Sequence, residues 1–342
     1  MRFLMPFLTW CLFITVAEAQ VRNFSSPELK GVRRAFLETK EDGTEQLIGF
    51  WDYQFNRRIT GGIIVLRIIN NQLLKVWENN DTFSYIEDYD AKDINKDGFL
   101  DFVAAGSGGV ENQGFQFFIA LFLSNGKSEY QKHIFVRPTS LYNSAFGDIN
   151  GDGQLEIVFI EQIEIPGEGC LHQKEIKIGH LQGEALLVED TGIFMSRDYS
   201  AEGGKRHQGY WEAFTVGDVD DDGKDEAIID NWADFAGGRF ISVFNLEGNE
   251  KYPTVNFPRG YDKPYLEDLW VNKVGHIIEL QKENPKPRVT SLNGTLSKIA
   301  AIELPEVDLT VWKPVQITMP VVLSELRNGD KTARQVTIYG PN

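Results

Sequence analysis

The chain has 342 residues, 42% of them hydrophobic and 25% charged, with a formal net charge of −16. That is enough apolar material for a sizeable core, either one large all-β domain or two ordinary ones. The acidity argues against nucleic acid or an anionic membrane surface as a partner.

The N-terminus reads as an export signal. Met1-Arg2 supplies a short positive start, Phe3 through Val16 an apolar stretch, and Ala17-Glu18-Ala19 a small-x-small cleavage pattern. Residues 1–19 are therefore expected to be removed, leaving a secreted or periplasmic chain, 20–342, with no membrane span. Of the two cysteines, Cys11 leaves with the signal and Cys170 is left without an intramolecular partner. Stability must then come from core burial, bound metal or both.

Beyond the signal, the apolar pattern is that of short strands and hairpins. Gly62 through Ile69 turns at Asn70-Asn71 into Leu73 through Trp77, and Phe115 through Leu123 turns at Asn125-Gly126 into Tyr130 through Val136. Phe240 through Phe244 reaches a further turn at Glu247-Gly248-Asn249. No long segment shows helical periodicity.

Between these hairpins a nine-residue frame, D-x-[DN]-x-D-G-x-x-[DE], occurs three times, starting at Asp93, Asp148 and Asp218. Oxygen side chains at positions one, three and five converge, the glycine at six permits the turn, and the carbonyl at seven points inward. A carboxylate at nine closes the shell, giving an oxygen cage suited to calcium. The expected ligands are Asp93, Asn95, Asp97, Phe99 (carbonyl) and Asp101 in the first loop. The second offers Asp148, Asn150, Asp152, Gln154 (carbonyl) and Glu156, and the third Asp218, Asp220, Asp222, Lys224 (carbonyl) and Glu226. An EF-hand needs a glutamate at position twelve and flanking helices. Here position twelve is Ala104, Phe159 or Ile229, inside an apolar run that reads as a buried strand.

Weaker copies fall near the same period: one around Glu38 to Ile48, one at Asp268 through Asn272 and one at Ser324 through Gly329. The longer interval between the second and third loops carries an insertion. Within it, Lys205, Arg206, His207, Tyr210 and Trp211 form a compact group of cations and aromatics, a candidate ligand-binding patch.

The repeated loop-then-strand unit resembles the FG-GAP/VCBS superfamily of calcium-loop β-propellers, which includes integrin alpha-subunit heads. Ala-Phe-Gly-Asp at 145–148 echoes its Phe-Gly element. The resemblance implies one all-β propeller of four-stranded antiparallel blades, six in number by the spacing, with five and seven left open. Gln335 through Tyr339 and a strand near Val32 through Leu37 are expected to close the ring. About three calcium ions, mainly structural, are implied.

No G-x-S-x-G, H-E-x-x-H or cysteine–histidine signature is present. The sequence therefore favours a non-catalytic binding, adhesion or scaffold module for glycan or extracellular protein. The alternative is a polysaccharide-active, lyase-like enzyme using the Lys205–Trp211 region.

Overall fold

The structure is a computed structural model. It describes residues 20–26, 32–39, 43–55, 58–70, 72–127, 129–164, 172–194, 199–200, 206–207, 210–233, 238–246, 250–258, 265–271, 275–282, 288–293, 298–303, 312–315, 321–326 and 334–340. The proposed signal, residues 1–19, and Cys170 lie outside them.

All described elements are strands. After β1 (Gln20–Ser26), the strands β2 (Val32–Thr39), β3 (Glu45–Phe55), β4 (Arg58–Ile69) and β5 (Gln72–Phe83) form the first sheet. The second holds β6 (Tyr85–Lys92), β7 (Asp101–Val110), β8 (Gly114–Ser124) and β9 (Tyr130–Arg137). The third holds β10 (Leu141–Gly147), β11 (Glu156–Glu164), β12 (His172–Gln182) and β13 (Ala185–Phe194). A small hairpin, β14 (Tyr199–Ser200) with β15 (Arg206–His207), precedes the fourth sheet.

That sheet consists of β16 (Tyr210–Gly217), β17 (Glu226–Ala233), β18 (Gly238–Phe244) and β19 (Glu250–Pro258). The fifth has β20 (Tyr265–Val271), β21 (Ile277–Lys282), β22 (Arg288–Leu292) and β23 (Lys298–Glu303). The last sheet joins β24 (Trp312–Val315), β25 (Val321–Leu326) and β26 (Arg334–Gly340) to β1, in register from Gln20↔Gly340 to Ser26↔Arg334. Among the described residues there are thus six four-stranded antiparallel sheets. None of these residues forms a helix long and apolar enough to cross a membrane.

Two details differ from the sequence expectation. The strand that pairs with the C-terminus is Gln20–Ser26, whereas Val32–Thr39 opens the first sheet. Asp268 lies inside β20, and Ser324 inside β25, so neither starts a loop. The connection that corresponds to a metal loop in the fifth sheet is the short segment after β20, where Gly275 adopts a φ of 71°.

The core lies between successive sheets. Phe83, Phe102, Phe118 and Phe122 fill the space between the first two, with Trp77 packed on Phe102 and Tyr130. Val103, Ile119, Phe146 and Phe159 do the same between the second and third. Ile160, Phe214 and Ile229 follow between the third and fourth, and Ile228, Ile241 and Leu269 between the fourth and fifth. Central strands bury both faces, which is why Phe102–Ala105 and Ile157–Ile160 are apolar without alternation.

First strands of consecutive sheets adjoin: β6 on β10, β10 on β16, β16 on β20, and β2 on β24. Their directions agree. Asn143 meets Asp88 early in β10 and β6, and Lys92 meets the Phe146 carbonyl late in both. A Cβ on Gly147 would press on Val216, and one on Gly217 on Val271. These strands therefore share one end where they begin and another where they finish.

Candidate functional site

The three acidic loops sit at the finishing end, joining β6 to β7, β10 to β11 and β16 to β17. They fold alike. Position four is left-handed in each (Lys96 φ 59°, Gly151 76°, Asp221 63°), as is position six (Gly98 83°, Gly153 80°, Gly223 81°). Glycine holds position six because a side chain is strained there.

The aspartate at position one gathers the loop amides. Asp93 accepts from Asp97 N (3.1 Å) and Gly98 N (2.8 Å), and Asp148 from Gly151 N and Gly153 N (both 2.8 Å). Asp218 accepts from Asp221 N (2.7 Å) and Gly223 N (2.9 Å). At position five, Asp97, Asp152 and Asp222 accept from the amides of Phe99, Gln154 and Lys224. At position three, Asn95 and Asn150 turn Oδ1 to the amide two residues on.

The carboxylate at position nine turns beneath the loop. Asp101, Glu156 and Glu226 each accept from the amide of position two, Ile94, Ile149 and Val219 respectively. Asp101 also accepts from Ser124 N at 2.6 Å. Burial pushes its carboxyl up to about 6 against the pull of these amides, and burial likewise raises Glu156.

In the third loop, oxygens of Asp218, Asp220 and Asp222 all lie within 4.8 Å of one another. Like charges held that close repel unless a cation lies among them. An all-oxygen set of this kind fits a hard divalent ion.

The loops are also tied to each other. Lys96 Nζ donates to Gly153 O (2.9 Å), bridging the first and second. Asp225 N donates to Asp148 O (2.8 Å) while Asp148 N donates to Asp225 Oδ2 (2.9 Å), bridging the second and third.

The opposite rim, where the first strands begin, holds a feature that motif reading missed. Five of the six sheets carry a β-bulge there, each in its first strand. The register shifts fall between Val32 and Arg34, Ile86 and Asp88, Leu141 and Ser144, Trp211 and Ala213, and Leu266 and Asp268. The extra residue is Arg33 in β2, Glu87 in β6, Glu212 in β16 and Glu267 in β20. In β10 it falls within the Tyr142-Asn143 pair. Bulges re-aim a side chain out of the pleat, and they gather at functional rims. A signal was available: Tyr85-Ile86-Glu87, Tyr210-Trp211-Glu212 and Tyr265-Leu266-Glu267 are one tripeptide pattern at equivalent places.

Asp88, buried, fastens two of these bulges by accepting from Asn143 Nδ2 (2.9 Å), while Ser144 Oγ donates to the Asp88 carbonyl. Beside them, the Tyr142 hydroxyl donates to Gln162, and Lys174 Nζ lies 3.5 Å from the Tyr142 ring centroid. Phe115, 63% exposed, stands at the same rim at the head of β8.

Of the patch read from the sequence, Lys205 lies outside the described residues. Arg206 and His207 form β15, and Tyr210 and Trp211 head β16, paired with Trp232 and Asn231. The backbone thus places the described part of the patch at the rim, next to the bulged Glu212.

Residues 93–159 match the FG-GAP-like repeat, so the resemblance read from the loops holds there. No curated relative matches the sequence. Among solved structures, the chain is similar to an α-L-arabinofuranosidase of Fusarium graminearum in complex with an iminosugar inhibitor. The TM-score is 0.55 at 10% identity, over 95% of this chain and 97% of that one. It is also similar to an α-L-arabinanase of Penicillium chrysogenum complexed with arabinobiose (TM-score 0.52, 11% identity, 95% and 98% covered). At this identity the likeness is one of fold, and it runs end to end. The expectation of a non-catalytic binding, adhesion or scaffold module is corrected on this point: the two structures that share the fold along nearly their whole length are an arabinofuranosidase and an arabinanase.

Proposed function

We propose that the chain is a polysaccharide-active enzyme that handles its glycan at the bulged rim. The observation that carries this reading is the repeated glutamate: Glu87, Glu212 and Glu267 occupy the same bulge in three first strands. The end-to-end fold likeness to arabinofuranosidase and arabinanase structures supports it.

The chemistry needs a pair of carboxyl groups. One, protonated, gives its proton to the leaving glycosidic oxygen, and the other, ionised, attacks the anomeric carbon or activates water. Glu212 and Glu267, on neighbouring sheets, are our pair, with Glu87 across the rim holding substrate. On this reading the six sheets are blades of one closed propeller spanning 20–342, with β1 completing the last blade. The chain works outside the cytoplasm after loss of 1–19.

Calcium is part of the proposal as a structural ion. Asp218, Asp220, Asp222 and the Lys224 carbonyl would hold it in the third loop, with the equivalent oxygens in the other two. Each ion neutralises a carboxylate cluster and so favours the folded state over the unfolded one.

The test is product release from linear arabinan and a panel of other neutral polysaccharides. We expect wild-type turnover and a loss of about 10³-fold in kcat for Glu212→Gln and for Glu267→Gln, the scale of a lost acid or base. An inactive wild type across the panel, or full activity in both variants, would overturn the reading.

A further inference from the structure

The third sheet departs from the glutamate pattern. Its bulge offers Tyr142 and Asn143, and next to it stands the exposed Glu87 of the second sheet. The two bulges cannot slide apart easily, since Asp88 accepts from Asn143 and Ser144 donates to the Asp88 carbonyl. Gln162 and Lys174 face each other across β11 and β12. Gln162 accepts the Tyr142 hydroxyl proton, and the Lys174 ammonium lies over the Tyr142 ring. Four polar side chains from four strands, β6, β10, β11 and β12, therefore meet at one point of the rim.

We propose that Glu87, Tyr142, Gln162 and Lys174 form a subsite for one uncharged sugar unit, Lys174 and Glu87 binding neighbouring hydroxyls. The inference deepens the enzyme reading and rests on it. Sugar hydroxyls donate and accept together, so an ammonium beside a carboxylate satisfies both halves of a vicinal diol with charge-assisted bonds. The ammonium and the carboxylate offset each other, leaving little local pull for an anionic sugar. The net charge of −16 repels a polyanionic chain further.

Tyr142 contributes position, since its ring holds the lysine by a cation–π contact and its hydroxyl is fixed by Gln162. Desolvation lowers Lys174 to about 8 while Glu87 opposes the shift, as expected for an ammonium drawn in among side chains but kept charged by an adjacent anion. Desolvation and the nearby Glu87 charge raise Tyr142, which keeps it a neutral donor.

The experiment is calorimetric titration of the full chain with arabino-, xylo-, galacto- and gluco-hexaose and with hexagalacturonate. It uses wild type, Lys174→Met, Lys174→Arg and Glu87→Gln, each with its unfolding midpoint recorded. We expect one neutral hexaose to bind. Its affinity should fall at least tenfold in Lys174→Met and in Glu87→Gln at an unchanged midpoint, with partial recovery in Lys174→Arg. Hexagalacturonate should bind more weakly than the neutral ligand. Wild-type affinity in both Lys174→Met and Glu87→Gln, tighter binding of hexagalacturonate, or no neutral hexaose bound would each overturn the subsite.

Should Lys174→Met fail to fold, the exposed Glu87→Gln decides the matter alone. Binding that depends on Lys174 without any cleavage would keep the subsite and sink the enzyme reading. Cleavage with unaltered kcat/KM in both variants would do the reverse.

Discussion

The two ends of the first strands solve different problems with different kinds of sequence. At the finishing end, each loop is a contiguous run in which one aspartate gathers the amides of its own turn, and neighbouring loops share hydrogen bonds. At the starting end, five of the six sheets each contribute one bulge, and nothing acts until several sheets stand side by side. The first arrangement holds strands together. The second, in our proposal, is where the substrate is met. In our account the loops stabilise and the rim does the chemistry.

The largest effect expected from breaking this division is at the rim. Glu212→Gln and Glu267→Gln should each cost about 10³ in kcat, roughly 4 kcal/mol of barrier, while the unfolding midpoint in calcium stays within a degree or two. A midpoint that drops with the activity would mean the bulges are structural.

Next comes the third loop. Asp220→Ala removes one of three clustered carboxylates. It should lower the midpoint in calcium by several degrees and flatten the calcium dependence, leaving turnover at 20 °C within about twofold, the expectation for a structural ion. An unchanged calcium response would remove this loop from the list of ion sites.

A pH effect sharpens the same contrast. Asp101 is raised from 3.8 to about 6 by burial. The folded state then holds a proton that the unfolded state releases between these values, so the Asp101 contribution to stability is fully present below 3.8 and is lost as pH rises through 6. Two units correspond to about 3 kcal/mol at most. Denaturant titrations in chelator should show the stability difference between wild type and Asp101→Asn shifting against wild type as pH rises from 4 to 7. A difference that does not change with pH would contradict the burial argument.

The smallest effect is expected for Lys96→Met, which removes the tie to the Gly153 carbonyl at an exposed position. It should cost about 1 kcal/mol or less and leave turnover untouched.

The loops were legible in the sequence because their chemistry is local. Oxygen donors at fixed offsets, a glycine at position six and an apolar strand behind them can be read from nine residues, and the FG-GAP-like match over residues 93–159 bears out the repeat resemblance drawn from them. All-β structure in four-stranded sheets was legible for the same reason, from turns between apolar runs. The rim was not, because Glu87, Glu212 and Glu267 are single residues far apart in sequence. Only strand register reveals that each is the extra residue of a bulge.

Asp268 shows the trap. It falls near the loop period, yet it follows Tyr265-Leu266-Glu267 as Asp88 follows Tyr85-Ile86-Glu87, at the other end of the repeat. The closing strand was missed because Gln20–Ser26 is short and largely polar, and only its partner Arg334–Gly340 defines it.

The most direct measurement is a paired one on wild type: cleavage rate on the neutral glycan at 20 °C and unfolding midpoint, each in calcium and in excess chelator. The account predicts that chelation lowers the midpoint by about 10 °C or more, through the loss of ions bound only to the folded state, while the rate stays within twofold. A rate that collapses on chelation with the midpoint unmoved would contradict it, placing the chemistry at the loops and not at the rim.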